Sequence, residues 1–195
     1  GYWFKITKGD VTGWVCGRYT DLVAEYYDME MFQFLHLSGP SGISVEALGT
    51  VLNSIVGSGN ILSGTEGTFY QAAQDNNINE IFLLSLALHE TGNGLSTLAN
   101  GVAYPPDDVE PVIVYNMFDI GAYDDDPIYY GSQRAYNEGW FTPEAAIIGG
   151  AVFASNRYVN SSYRQDTLYK MRWNPGNPGT HQYATDVAWA SKQVS

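Results

Sequence analysis

The sequence predicts an α+β fold that is mainly helical, and three observations support this prediction. Apolar residues recur at helical spacing over about residues 44–56, 78–89 and 143–155. Residues 101–130 hold prolines, aspartates and tyrosines instead, which indicates a small irregular or β insertion after a buried helix. The chain has 195 residues and 45% apolar side chains, which is enough to form a packed core.

The chain begins with a pattern typical of a short β-hairpin. Residues 2–18 alternate apolar and polar side chains around a turn at Gly9 and Asp10. From Tyr19 to about Leu37 the spacing of the apolar residues becomes helical. The pattern therefore changes from that of a hairpin to that of a helix at about residue 19.

Two helices with recognisable caps are predicted next. Ser44 is a suitable N-cap for the helix over about 44–56. Asn77 is expected to cap the following one, with Glu80 as its capping-box partner. That second helix is apolar almost all round after Glu80, so it should lie in the core and end at the Thr-Gly-Asn-Gly turn of residues 91–94.

Other elements are predicted with less detail. Thr142 and Pro143 are a typical N-cap and first residue of a helix. Residues 111–121 are expected to form short strands or loops. Further helices are predicted at about residues 69–74, 132–138, 143–155 and 183–193.

The charges are strongly acidic and unevenly distributed. The formal net charge is −12, and no Lys or Arg occurs between residues 19 and 133, a stretch that holds 16 of the 21 acidic residues. A nucleic-acid partner is not expected, because phosphate binding needs a basic face. No apolar run reaches the length of about 20 residues that spans a bilayer. An acidic middle suits a cleft for neutral sugar chains or for cationic groups.

Glu90 is the strongest candidate for a catalytic group. It lies at the end of the buried apolar helix, directly before the glycine-rich turn. Burial and the negative end of a helix both disfavour a carboxylate, and the neighbouring charges in the chain are acidic. All three effects raise the pKa of the carboxyl group. A carboxylic acid that stays protonated near neutral pH can protonate the leaving oxygen of a glycoside.

Motifs for metals and cofactors are incomplete. His89 and Glu90 begin a zinc motif that needs a second histidine where Asn93 stands. The aspartates 124–126 resemble the start of a calcium loop, but the glycine and the closing glutamate are missing. Cys16, the single cysteine, lies in a strand pattern and is expected to be a packing residue. We therefore predict no metal ion and no cofactor.

Four stretches of the chain resemble one known family. They are LALHETGNGLSTLANG (86–101), VYNMFDIGAYDDDP (114–127), GWFTPEAAIIGGAVFAS (139–155) and DTLYKMRWNPGNPGTHQYATD (166–186). Together they are similar to the endo-β-N-acetylglucosaminidase domain of bacterial autolysins, glycoside hydrolase family 73, of the staphylococcal and clostridial major-autolysin type. The resemblance extends over about residues 30–193.

The resemblance implies a lysozyme-like fold with a small β-lobe beside the substrate groove. It implies a hydrolase of peptidoglycan glycan strands, an autolysin that cuts the β-1,4 bond between N-acetylglucosamine and N-acetylmuramic acid. Such a protein is expected to be secreted, associated with the cell wall, monomeric and active in cell separation. The hairpin resembles the end of a bacterial SH3-type wall-binding module, so residues 1–24 are expected to be a remnant and linker, and 25–195 the catalytic domain.

The same resemblance assigns roles to single residues. Glu90 matches the catalytic glutamate, and Tyr183 and Asp186 fall in a Y-A-T-D motif of the catalytic groove. Tyr123, Asp124 and the strand Asn116–Phe118 line the groove in the family. Apart from the resemblance, Glu110 and Trp173 are also expected to contact substrate. Two departures are visible, because Asp119 stands where relatives usually carry glycine and Leu95 where they usually carry threonine.

The sequence leaves the second catalytic group open. An inverting mechanism needs a base, for which Asp186, Asp124 and Glu110 are candidates. Alternatively, the 2-acetamido group of the substrate acts as internal nucleophile, with Tyr183 positioning it. A lytic transglycosylase and a non-catalytic peptidoglycan-binding module are the competing functions.

Overall fold

A computed structural model describes residues 3–8, 10–16, 29–105 and 110–194 of the chain. The N-terminal hairpin is present as two antiparallel strands, β1 (Trp3–Lys8) and β2 (Val11–Cys16). Trp3 is opposite Cys16, and Lys8 is opposite Val11 across the turn. The hairpin prediction is confirmed, whereas most of the expected linker lies outside the described residues.

The rest of the described chain is mainly helical. A 3-10 helix spans Met29–Phe34. The α-helices are α1 (Val45–Ile55), α2 (Glu66–Asp75), α3 (Glu80–Glu90), α4 (Thr97–Asn100), α5 (Pro127–Glu138), α6 (Pro143–Ala154), α7 (Leu168–Trp173) and α8 (Trp189–Lys192). Helix α6 continues into a π-helical turn over Ser155–Val159. Within the described ranges, none of these helices has the length and apolar character to cross a membrane.

A small sheet interrupts the helices where the insertion was predicted. Strands β3 (Val102–Tyr104) and β4 (Val112–Val114) pair antiparallel, with Val102 opposite Val114. Tyr115 continues from β4 and bonds through its N–H to the carbonyl of Trp140, 2.9 Å away. The predicted α+β, mainly helical fold class is confirmed.

Helix α3 lies in the core, as its apolar composition predicts. It packs on α2, which also contacts α1 and α6. Leu83, Leu84 and Leu86 of α3 are at most 2% exposed. Burying side chains of this size contributes about 1.5–3 kcal/mol each. The core therefore fixes the axis of α3 and, with it, the position of the residue at its C-terminus.

Several caps agree with the sequence and one does not. The Ser44 hydroxyl accepts from the N–H of Ala47, and Thr142 accepts from Ala145, as predicted. Helix α3 begins after Asn79, not after Asn77, because residue 78 pairs with residue 38 in a β-bridge. Asn79 then accepts from the N–H groups of residues 81 and 82.

The expected capping-box role of Glu80 is also wrong. Its fully buried carboxylate accepts from the backbone N–H of Ser41 at 2.8 Å and from the Ser41 hydroxyl at 3.0 Å. The side chain thus joins the start of α3 to the preceding loop.

The C-terminal region differs most from prediction. Only residues 189–192 of the expected helix 183–193 are helical. The guanidinium of Arg172 donates to the carbonyls of Thr185 and Asp186 in this segment, which is irregular up to α8. Helix α7 was not predicted, and α5 starts five residues early because Asp126 caps it by accepting from the N–H of residue 129.

Candidate active site

The turn after α3 fixes the position of Glu90. The Thr91 hydroxyl donates to the carbonyl of Ala87 at 2.6 Å and accepts from the N–H of Gly94 at 2.8 Å. Asn93 and Gly94 have φ angles of 61° and 78°. A Cβ atom on Gly94 would collide with the Asn60 side chain, so the close approach of these segments requires glycine. These contacts therefore hold the backbone of the turn in place directly after Glu90.

The carboxyl group of Glu90 is partly buried and weakly solvated. Trp189 Nε1 donates to its Oε1 atom at 3.5 Å, which is a long hydrogen bond. Burial raises the pKa of Glu90 from its ordinary 4.5 to about 7, with the Trp189 bond lowering it and the charge of Asp119 raising it. The predicted direction is confirmed. Glu90 is therefore a proton donor near neutral pH.

An aromatic cluster extends from Trp189, which donates to this acid. Tyr183 lies between Trp189 and Tyr158, at centroid distances of 4.8 and 5.0 Å. His181 continues the cluster, 4.9 Å from Tyr158 and stacked on Tyr163 at 4.0 Å. Trp189 is the member of this cluster that contacts Glu90 directly.

Tyr183 is the predicted site residue that the structure brings to Glu90. Its N–H donates to the carbonyl of Met171 at 2.9 Å, which anchors the backbone on α7. Burial raises the pKa of the Tyr183 hydroxyl well above its usual range, and the charges of Glu90, Tyr158 and Asp119 act in the same direction. The hydroxyl stays neutral and remains able to donate a hydrogen bond.

The loop after β4 adds a second carboxyl group, on Asp119. Asn116 is fully buried, and its Oδ1 accepts from the N–H groups of Phe118 and Ile120, at 3.3 and 3.2 Å. Its Nδ2 donates to the carbonyls of Ile120 and Gly131. The amide of Asn116 is thus used in holding this loop, which carries Asp119 to the site.

Asp119 is the functional candidate to which sequence reasoning assigned no role. It was noted only because it replaces the usual glycine. Burial raises its pKa from 3.8 to about 6. The signal that could have marked it is an acidic residue where the backbone needs a left-handed conformation, since its φ is 48°.

The other predicted residues lie in different surroundings. Phe118 is 3% exposed and packs so closely on Gly150 that a Cβ atom there would collide with its ring. Asp186 is exposed and pairs with Lys192 at 2.6 Å, and this bond lowers the pKa of the carboxyl group. The ring of Trp173 is covered by the Arg172 guanidinium, 4.1 Å from its centroid.

A stripe of aromatic rings begins at Tyr123, which is 66% exposed. Asp124 and Glu110 are exposed as well. Successive ring centroids of this aromatic stripe are 5.3 to 5.9 Å apart, and its members are Tyr123, Tyr130, Tyr129, Tyr104, Tyr136 and Phe141.

No metal centre is formed by the described side chains. Within those ranges, no three His, Cys, Asp or Glu residues come together in a way that could hold an ion. Asp126, in the run that resembles a calcium loop, is used as the N-cap of α5. The titratable groups with raised pKa values in this region are Glu90, Asp119 and Tyr183.

Proteins of similar sequence and structure identify the family. Residues 66–195 match the glucosaminidase family, described as mannosyl-glycoprotein endo-beta-N-acetylglucosaminidase. A beta-N-acetylglucosaminidase of Bacillus subtilis strain 168 is 49% identical over 195 residues, which are 99% of this chain and 20% of that protein. A bifunctional autolysin of Staphylococcus aureus is 47% identical over 167 residues, covering 82% of this chain and 13% of that protein. The chain spans about a fifth or less of the length of these two relatives.

A solved structure supports the same assignment. A catalytic mutant of Staphylococcus aureus Autolysin E, in complex with the disaccharide NAG-NAM, matches with a TM-score of 0.70 and 37% identity. The match covers 84% of this chain and 68% of that chain. It confirms the lysozyme-like fold with a small two-stranded sheet that the resemblance implied. The chain therefore belongs to the glucosaminidase family.

Proposed function

We propose that this chain is the catalytic domain of an autolysin that hydrolyses peptidoglycan. The bond cut is the β-1,4 linkage between N-acetylglucosamine and N-acetylmuramic acid, which leaves N-acetylglucosamine at the new reducing end. The observation that carries the proposal is the partly buried Glu90 at the end of α3, which accepts one long hydrogen bond from Trp189 and whose pKa burial raises to about 7. The disaccharide bound to the related Autolysin E is a fragment of this type.

Glu90 acts as the general acid in this mechanism. Its proton passes to the bridging oxygen, which leaves with the N-acetylmuramic acid unit as the bond to the N-acetylglucosamine C1 breaks. The positive charge that develops on the sugar ring is stabilised by a negatively charged or nucleophilic partner. Water then adds at C1 and gives one proton to the Glu90 carboxylate, which restores the acid.

Tyr183 is better placed than Asp186 to support the second part of the reaction. The neutral Tyr183 hydroxyl lies in the cluster around Glu90 and can bond to the 2-acetamido group of the substrate. Asp186 is an exposed carboxylate paired with Lys192. We therefore favour the acetamido group as internal nucleophile, with Tyr183 as the residue that positions it.

The substrate-binding roles remain proposals for the individual residues. The aromatic stripe offers ring faces and hydroxyl groups, which suit the apolar faces and polar edges of sugar rings. Tyr123, Asp124 and Glu110 are exposed and available to a glycan strand. Asn116 and Phe118 act indirectly, by shaping the loop, and Trp173 would contact sugar only at the part of its ring that Arg172 leaves open.

We further propose the cellular setting that the resemblance implies. The protein acts at the cell wall, is secreted, and takes part in cell separation as a monomer. Residues 1–24 are a remnant of an SH3-type wall-binding module with its linker, and residues 25–195 form the catalytic domain. The two-stranded hairpin is compatible with this origin.

The test is a digest of purified peptidoglycan by the wild-type chain and by Glu90→Gln. The variant should lose about 10²–10⁴-fold in rate, because a positioned general acid contributes that much. Glu144→Gln, at an exposed glutamate in the first turn of α6, is the matched control and should keep full activity. Substantial hydrolysis by Glu90→Gln would refute the assignment.

Mass spectrometry of the digest separates the competing functions. New reducing-end N-acetylglucosamine supports the proposal. Products ending in 1,6-anhydro-N-acetylmuramic acid would identify a lytic transglycosylase instead. Binding of the glycan without any release of fragments would identify a binding module. The anomer released first distinguishes inversion from retention.

A further inference from the structure

The surroundings of His181 fix which of its ring nitrogens carries the hydrogen. Gln165 is fully buried, and its Nε2 atom donates to the carbonyls of Lys170, Met171 and His181 at 2.9 to 3.3 Å. The amide oxygen of Gln165 therefore faces the Nδ1 atom of His181, 2.6 Å away. Because an amide oxygen can only accept, Nδ1 carries the hydrogen, and Nε2 of the neutral ring is an acceptor.

The acceptor nitrogen of His181 is available to a ligand. Burial lowers the pKa of His181 from its ordinary 6.5, and the charge of Arg157 acts in the same direction, so the ring is neutral at neutral pH. The side chain is only partly buried. Among the residues that the structure describes, Gln165 is the hydrogen-bond partner of the ring, and it takes Nδ1. Nε2 therefore remains free to accept a hydrogen bond.

The backbone around His181 is held on both sides. Asn174 is 2% exposed, and its Nδ2 atom donates to the carbonyl of Thr180 at 2.9 Å. Two residues after His181, the N–H of Tyr183 donates to the carbonyl of Met171. His181 itself has a φ of 48°, a left-handed conformation that few residues other than glycine adopt. The ring is consequently presented by a fixed segment.

Tyr163 extends this ring to the surface. The two rings are stacked, with centroids 4.0 Å apart and planes at 14°. Tyr163 is 50% exposed although His181 covers one of its faces, so the opposite face is open to solvent. We call this pair the Tyr163–His181 platform. It combines an open aromatic face with a hydrogen-bond acceptor, which suits the apolar face and the polar edge of a sugar ring.

The platform is continuous with the aromatic cluster that begins at Trp189. The ring of Tyr158 is 4.9 Å from that of His181. Tyr183 then lies between Tyr158 and Trp189, at 5.0 and 4.8 Å. Trp189 in turn donates to Glu90. Two rings therefore separate the platform from the residue that contacts the acid, and a sugar on the platform would lie away from the bond that is cut.

We propose that Tyr163 and His181 form a distal glycan subsite, which binds a further sugar of the strand that is cut at Glu90. The open face of Tyr163 packs on the apolar face of this sugar, and His181 Nε2 accepts from a hydroxyl group or from the acetamido N–H. The proposal rests on the proposed function, which takes the peptidoglycan glycan strand as substrate. The affinity should therefore depend on strand length, since a disaccharide at Glu90 does not extend to the platform.

The test compares the binding of short and long glycans by isothermal titration calorimetry. The protein is Glu90→Gln, which should not cleave the probes. The probes are the disaccharide of N-acetylglucosamine and N-acetylmuramic acid and a peptide-free glycan strand several disaccharides long. Tyr163→Ala removes the open ring, and His181→Asn removes the ring nitrogen with a residue type that tolerates a left-handed backbone. Each added substitution should lower the affinity for the long strand about two- to tenfold and leave that for the disaccharide unchanged.

Tyr169→Ala is the matched control. Tyr169 is 36% exposed and pairs with Phe34 outside the aromatic cluster, so its loss should change neither affinity. An unchanged affinity of the Tyr163→Ala protein for the long strand would overturn the proposal. An equal loss for both glycans would also overturn it, because that result indicates a structural role.

Failure of the subsite and failure of the proposed function give different results. If Glu90→Gln cleaves the strand as fast as the wild type, the proposed function fails, and the KM values for long and short glycans then test the subsite. If the Glu90→Gln protein binds neither glycan, both proposals fail.

Discussion

The two ends of α3 carry glutamates in opposite situations. Glu80, at the N-terminus, is fully buried and accepts two hydrogen bonds from Ser41. Glu90, at the C-terminus, is partly buried and accepts a long bond from Trp189. The negative end of the helix disfavours a carboxylate at Glu90, whose pKa burial raises to about 7. The two ends therefore differ in the hydrogen-bond donors that each carboxyl group meets.

The largest effect on stability is expected at Glu80. Glu80→Ala leaves the N–H and hydroxyl of Ser41 without their acceptor and should lower the free energy of unfolding by about 2–4 kcal/mol. Glu80→Gln keeps one acceptor oxygen and should lower it less. Urea denaturation measures both. Equal stability of Glu80→Ala and the wild type would contradict the claim that the hydrogen bonds of Glu80 stabilise the fold.

Glu90→Gln should raise the free energy of unfolding at neutral pH, whereas the Glu80 substitutions lower it. The folded-state pKa of Glu90 is raised from 4.5 to about 7, so its stabilising contribution is complete below about pH 4.5 and is lost as pH rises through 7. The variant should therefore be more stable than the wild type at pH 8, by on the order of 2 kcal/mol. The gain should vanish near pH 4. Denaturation at both pH values tests this, and no gain at pH 8 would contradict it.

The smallest effect is expected from removing the hydrogen bond that Trp189 donates to Glu90. Trp189→Phe removes the N–H that donates to the carboxylate while keeping a ring against Tyr183. Because that bond lowers the pKa of Glu90, its loss should move the alkaline limb of the pH–rate profile to higher pH. Phe34→Leu, in the ring pair with Tyr169 outside the cluster around Glu90, is the control. A shift to lower pH would show that the bond does not favour the charged acid.

The local pattern of the sequence was enough to predict those elements that depend only on residues nearby in the chain. The caps at Ser44 and Thr142, the burial of α3 and its end at the glycine-rich turn all follow from residues within a few positions. Glu90 was identified for the same reason, since burial and the helix end both act locally.

Only the tertiary structure decided which groups meet Glu90. Trp189 is 99 residues away in the chain, and Asp119 reaches the site through a loop held by Asn116. The helix expected at 183–193 is mostly absent, and the distant Arg172 guanidinium donates to the carbonyls of Thr185 and Asp186 there. A sequence pattern records the periodicity of burial and the local hydrogen bonds. It does not record which distant side chains reach the end of a helix, and the contact with Trp189 is of that kind.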